Sequence, residues 1–183
     1  MDNNDLLRRL RYALRCDDSQ TSRLIKLGGG ATTTAQAALF RAKETDSDYT
    51  PCGPDVLAQF LDGLIIDYRG PRDEVKSNPW PDRSKNVQID SAKGADVSDK
   101  PERMDNNVVL KQLRIALSLR SDDVHTILQA GGSSMSASEA GALFRKPTAR
   151  NYRQCGDQVL RQFIAGLVKR REQNLDQQDS QGT

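Results

Sequence analysis

Side-chain catalysis needs a base, a nucleophile or a set of metal ligands brought to one place. The chain offers one histidine, His125, and three cysteines, Cys16, Cys52 and Cys155. A single imidazole cannot build a metal cluster, and no CxxC pair suggests a zinc ribbon or a thioredoxin-like site. His125 reads as an exposed helix residue. Cys52 and Cys155 each precede a glycine and read as small apolar residues tucked beneath a helix start. The carboxylate pairs Asp17-Asp18 and Asp122-Asp123 stand near helix starts, where acids cap free amides and favour the helix dipole. The "GGG" at 28–30 lacks the Lys-Ser/Thr that a phosphate-cradling loop requires. No catalytic residue, metal ligand or cofactor is expected, and the chain reads as a non-enzyme.

Arginines are more informative. Arg11 and Arg114 lie on or beside helical apolar stripes. A buried guanidinium must place five donors. Carbonyls at another helix end or an inner carboxylate would take them; the functional alternative is an anion or an acidic partner. Arg41 and Arg145 each follow a phenylalanine, Phe40 and Phe144. With Lys43, Lys146, Arg150 and Arg153 they suggest a basic edge, and Tyr49 and Tyr152 follow in the next loop. Phe40, Arg41, Tyr49, Phe144, Arg145, Lys146 and Tyr152 are therefore the candidate partner-binding residues.

These residues come in pairs because the chain repeats itself. At an offset of 103, "MDNNDLLRRLRYAL" meets "MDNNVVLKQLRIAL". Gly28-Gly29 meets Gly131-Gly132, and "ALFR" recurs after a one-residue shift. Tyr49, Cys52, Phe60 and Gly63 then meet Tyr152, Cys155, Phe163 and Gly166. Matches at structural intervals mark a true internal repeat.

Each copy predicts four helices. Leu7, Leu10 and Leu14 have helical spacing behind Asn4, a suitable N-cap. The second helix starts in the Asp/Ser cluster at 17–19 and stops at Gly28-Gly29. The third starts in a Thr or Ser run, with Ser136 and Glu139 at capping-box spacing. The fourth starts at Pro54 and carries Val56, Leu57, Phe60, Leu61, Leu64 and Ile65. Gly63 and Gly166 sit inside that helix, where glycine is costly, so close contact with another helix is expected.

The expected architecture is all-α: two tandem homologous four-helix modules packed as a pseudo-symmetric pair. Residues 1–70 form the first, 71–103 a flexible, disordered linker containing Trp80, 104–171 the second, and 172–183 a disordered tail. A copy of about 70 residues has a small core and gains by packing on its sibling. No apolar run is long enough to span a membrane and no signal peptide opens the chain, so a cytoplasmic location is expected.

Net charge is +2, too small to imply a polyanion partner. Residues 1–70 hold nine Lys/Arg against ten Asp/Glu; residues 104–183 hold eleven against eight. A protein partner is the leading expectation. The alternative is helix-turn-helix recognition of nucleic acid by the third helices, through Thr34, Gln36 and Arg41, with Ser138, Arg145 and Lys146 in copy two.

The stretches "NNDLLRRLRYAL", "NNVVLKQLRIALSLRSDD" and "RQCGDQVLRQF", with an F-x-x-GL near the end of each copy, resemble the bacterial YehS-like family of tandem-repeat proteins. The resemblance covers both copies and implies two related helical domains. It carries no activity, cofactor or catalytic residue across.

Overall fold

A computed structural model describes residues 1–70 and 103–181, with side chains through 174; residues 71–102, including Trp80, and 182–183 lie outside the described residues. Eight helices and no strand occupy the described residues. Copy one holds α1 (Asn3–Leu14), α2 (Asp18–Leu27), α3 (Thr34–Leu39) and α4 (Pro54–Arg69). Copy two holds α5 (Asn106–Ala116), α6 (Ser121–Ala130), α7 (Ala137–Ala142) and α8 (Asp157–Gln181).

Local sequence sets most boundaries. Asp17 and Gln20 form a capping box on α2, Thr33 and Gln36 on α3, and Ser136 and Glu139 on α7, each pair satisfying free amides reciprocally. The opening of α1 differs from expectation. Asp2 is its N-cap, and Asp105 that of α5. Asn4 is instead buried inside the first turn. Residues 172–181, expected in a disordered tail, continue α8. They contain no Gly or Pro, and extending an existing helix is cheaper than starting one. At the other boundary, Arg103 is already docked, ion-paired with Asp157 and donating to Asn106 Oδ1 at 3.2 Å.

Packing crosses the copies. α2 lies along α4 and α6 along α8, while α3 and α7 lean on α2 and α6. The first helix of each copy packs chiefly on its sibling's last helix, α1 on α8 and α5 on α4. One continuous core results. It joins Leu7, Leu10, Phe60 and Leu64 to Leu110, Leu113, Phe163 and Leu167. Each fully buried leucine or phenylalanine contributes roughly 1.5–3 kcal/mol over its exposed state, so neither copy could shed its sibling cheaply.

The glycines fix the closest approach. A Cβ on Gly63 would collide with the Leu24 carbonyl, and one on Gly28 with the Gln59 carbonyl. In copy two, Gly166 meets the Ile127 carbonyl and Gly131 the Gln162 carbonyl in the same way. Two backbones touch at each crossing, and only hydrogen fits between them.

Two equivalent basic grooves as the candidate functional site

The asparagine pairs at the start of each copy hold the loop after the third helix. Asn4 Nδ2 donates to the carbonyls of Thr50 (2.8 Å) and Phe40 (3.3 Å), and its Oδ1 accepts from the Cys52 amide at 2.7 Å. Asn107 repeats this with Leu143 O (2.8 Å), Arg153 O (3.0 Å) and the Cys155 amide (2.8 Å). Asn3 and Asn106 each donate to a cysteine carbonyl, of Cys52 at 3.0 Å and Cys155 at 2.9 Å. The cysteines beneath are buried and free, and burial pushes both thiols up to about 12. They are packing residues, not nucleophiles.

Arg11 is buried and fully engaged. Its Nη1 donates to Ala37 O at 3.1 Å, its Nε reaches Cys16 O at 3.4 Å, and its Nη2 pairs with Asp18. Arg114, half-buried, donates from Nε to Leu119 O at 3.2 Å and from Nη2 to Ser121 Oγ at 3.2 Å. Its guanidinium lies over the Phe144 ring, 4.6 Å from the centroid. Each of these two arginines floors a groove between the end of its own first helix and the start of the next.

Groove one has a volume of about 570 Å³ and is lined by Arg8, Arg11, Tyr12, Arg15, Arg41 and Arg171, with Asp17 and Asp18. Groove two, about 430 Å³, is lined by Arg69, Lys111, Arg114, Ser118 and Phe144 among others. The linings correspond: Arg8 with Lys111, Arg11 with Arg114, Arg15 with Ser118. Arg15 and Ser118 share a left-handed backbone, with φ of 55° and 53°. Each groove also takes one arginine from the other copy. Arg171 of α8 donates to Tyr12 O at 2.7 Å and to Ala13 O at 3.2 Å, and Arg69 of α4 donates to Ile115 O at 3.2 Å. Both cations sit where a helix C-terminus carries partial negative charge. Each groove is therefore completed by one residue of the sibling copy.

The sequence-derived candidates divide. Phe40, expected to face a partner, is in the core at 6% exposure, and Leu39 beside it points outward at 39%. The loop after α3 turns the phenylalanine back beneath α1. Phe144 is partly buried under Arg114. Arg41 is exposed and pairs with Asp18 at 3.2 Å. Tyr49 is half-buried, its hydroxyl donating to Asn4 Oδ1 at 3.4 Å. Arg145 donates to the carbonyls of Arg150 and Asn151, and shares a shallow pocket with Tyr152 and Arg153, apart from both grooves; Lys146 is exposed. His125 is not the exposed residue expected. It is half-buried with Nε2 3.0 Å from Met135 O, the place where Ser22 donates to Thr32 O at 2.6 Å. Arg15, Arg69 and Arg171 were not singled out in the sequence, and nothing in linear order places 171 beside 12.

Other chemistry is sparse. Among the described residues no group of three or more His, Cys, Asp or Glu side chains could hold a metal ion. No described helix is long and apolar enough to cross a membrane. α3 and α7 have six residues each, about 9 Å of helix, and Gln36 in α3 is spent on its capping box. That is short for reading a major groove.

Comparison with known proteins matches residues 3–70 and 106–172 separately to the protein family of unknown function DUF1456. The chain is similar to uncharacterized protein YehS of Escherichia coli strain K12, with 37% identity over 167 residues, 91% of this chain and 94% of that protein. No solved structure gives a significant match.

Proposed function

The chain belongs to the DUF1456 family, and from that premise we propose that it is a non-enzymatic binding protein of the cytoplasm that holds an acidic protein segment in its two basic grooves. The observation that carries this reading is the groove built twice. Each copy supplies the floor arginine, and each last helix sends one more arginine to its sibling's groove. Five arginines against two aspartates line groove one, and Arg69, Lys111 and Arg114 line groove two. Such clustering favours carboxylate-rich partners through charge-assisted bonds. Tyr12, 65% exposed at the lip of groove one, adds the aromatic contact that binding hot spots favour.

The test is a titration of the full-length protein with a glutamate-rich peptide and with mixed DNA, at low and moderate salt. Saturable peptide binding, weakened at least tenfold by Arg41→Glu combined with Lys111→Glu, is expected. DNA binding that falls steeply with salt, without peptide binding, would select the nucleic-acid reading instead.

A further inference from the structure

The grooves differ at one position that decides what each can hold. α2 opens with Asp18 and α6 with Ser121, and the two are equivalent at the 103-residue offset. In groove one the Asp18 carboxylate pairs with Arg11 and, at 3.2 Å, with Arg41. In groove two the equivalent partner of Arg114 is the neutral Ser121 hydroxyl, at 3.2 Å. Among the described residues no carboxylate lines groove two, which gathers Arg69, Lys111 and Arg114. The structure keeps the 103-residue offset through α3 and α7, so Phe144, whose ring lies against the Arg114 guanidinium, stands where groove one has Arg41.

A hydroxyl can accept a hydrogen bond but cannot neutralise a guanidinium that is half withdrawn from water. Such a group favours a charged acceptor with two oxygens. Copy one shows that acceptor in place, supplied from within. We infer that groove two is an oxyanion receptor, in which a carboxylate- or phosphate-type group docks on Arg114 in the position that Asp18 fills in groove one. Arg69 flanks it, and Ser121 supplies a hydroxyl donor. Groove one is then the self-occupied copy and groove two the open one. The inference rests on the grooves being contact surfaces and deepens that reading by naming the chemical group recognised.

The internal repeat supplies the experiment. The full-length protein, in a phosphate-free buffer, is titrated with inorganic phosphate and separately with a glutamate-rich peptide, and backbone amide shifts are followed. With phosphate, saturable shifts at Arg114, Leu119 and Ser121 are expected, with none at Asp18; the peptide should shift the same three residues. Ser121→Asp, which fills the site from within, should weaken binding at groove two at least tenfold, whereas the neutral Ser121→Asn should keep it. Asp18→Ser should open a second site at groove one. Phosphate binding without a peptide response identifies a phosphate source, and tighter peptide binding a carboxylate one; either supports the receptor. Anion binding in Ser121→Asp equal to wild type, or shifts scattered over the surface, overturns it. Peptide binding that survives Ser121→Asp unchanged overturns the receptor while leaving the broader binding role standing.

Discussion

Asn4 shows how one side chain ties distant segments together. Its amide reaches Phe40, Thr50 and Cys52 at once, so it holds the long loop before α4 against α1. Its position near a helix start invites an N-cap reading, but a cap would have satisfied only its own helix. Asn4→Ala leaves buried carbonyls and an amide without partners, at a cost of about 1–3 kcal/mol for a first unsatisfied group. Asn107→Ala should match it within the scatter of such measurements, because its three backbone bonds are equivalent. Urea denaturation of the two variants checks both the loss and the equivalence. The buried thiols predict a pH effect. Cys52 and Cys155 hold their protons up to about 12 when folded, against an ordinary value of 9.0. The folded state therefore binds those protons more tightly than the unfolded chain. The stability this contributes is fully present below pH 9 and is lost as pH rises toward 12. Urea midpoints measured between pH 8 and 11 should fall, and less so in a Cys52→Ala/Cys155→Ala variant. Tyr49 and Tyr68, also raised by burial, retain a residual slope.

At the scale of elements the decisive contact is glycine on carbonyl. Among the described residues three glycines lie inside helices, and their environments are opposite. Gly63→Ala and Gly166→Ala drive a methyl into the backbone of α2 and α6 respectively, and a carbonyl held in a helix cannot swing away. A loss of at least about 1–3 kcal/mol is expected from such overpacking. Gly141 lies in α7 with nothing within 4 Å of an added Cβ, so Gly141→Ala should stabilise by about 0.4–1 kcal/mol. Thermal melts of the three variants should therefore move in two directions. The cost of a mid-helix glycine, repeated in both copies, was legible in the sequence and implied close approach. Which helix approached was not, because periodicity describes one helix at a time.

For the whole molecule the cross-packing of α1 on α8 and α5 on α4 governs cooperativity. Cutting the chain between copies would expose Leu7 and Leu10 on one side and Leu110 and Leu113 on the other, all fully buried in the intact protein. Residues 1–70 and 103–183, made separately, should unfold at lower denaturant and with shallower transitions than the full chain. Mixing them should restore a sharper transition, seen by circular dichroism. Two independent transitions in the intact protein would contradict the single core.

The sequence alone determined the duplication, the helical class, most helix boundaries and the need for the copies to pack together. These follow from local signals: caps, turn glycines, apolar spacing and the 103-residue offset. Tertiary structure decided the partners. It placed Arg171 beside Tyr12 and Arg69 beside Ile115, sent Phe40 inward, and gave Arg11 an aspartate where Arg114 has only a serine hydroxyl. The reason is that a helical stripe specifies only that a face be covered. Which helix covers it, and which charges then share a groove, depends on the one arrangement that buries eight faces at once.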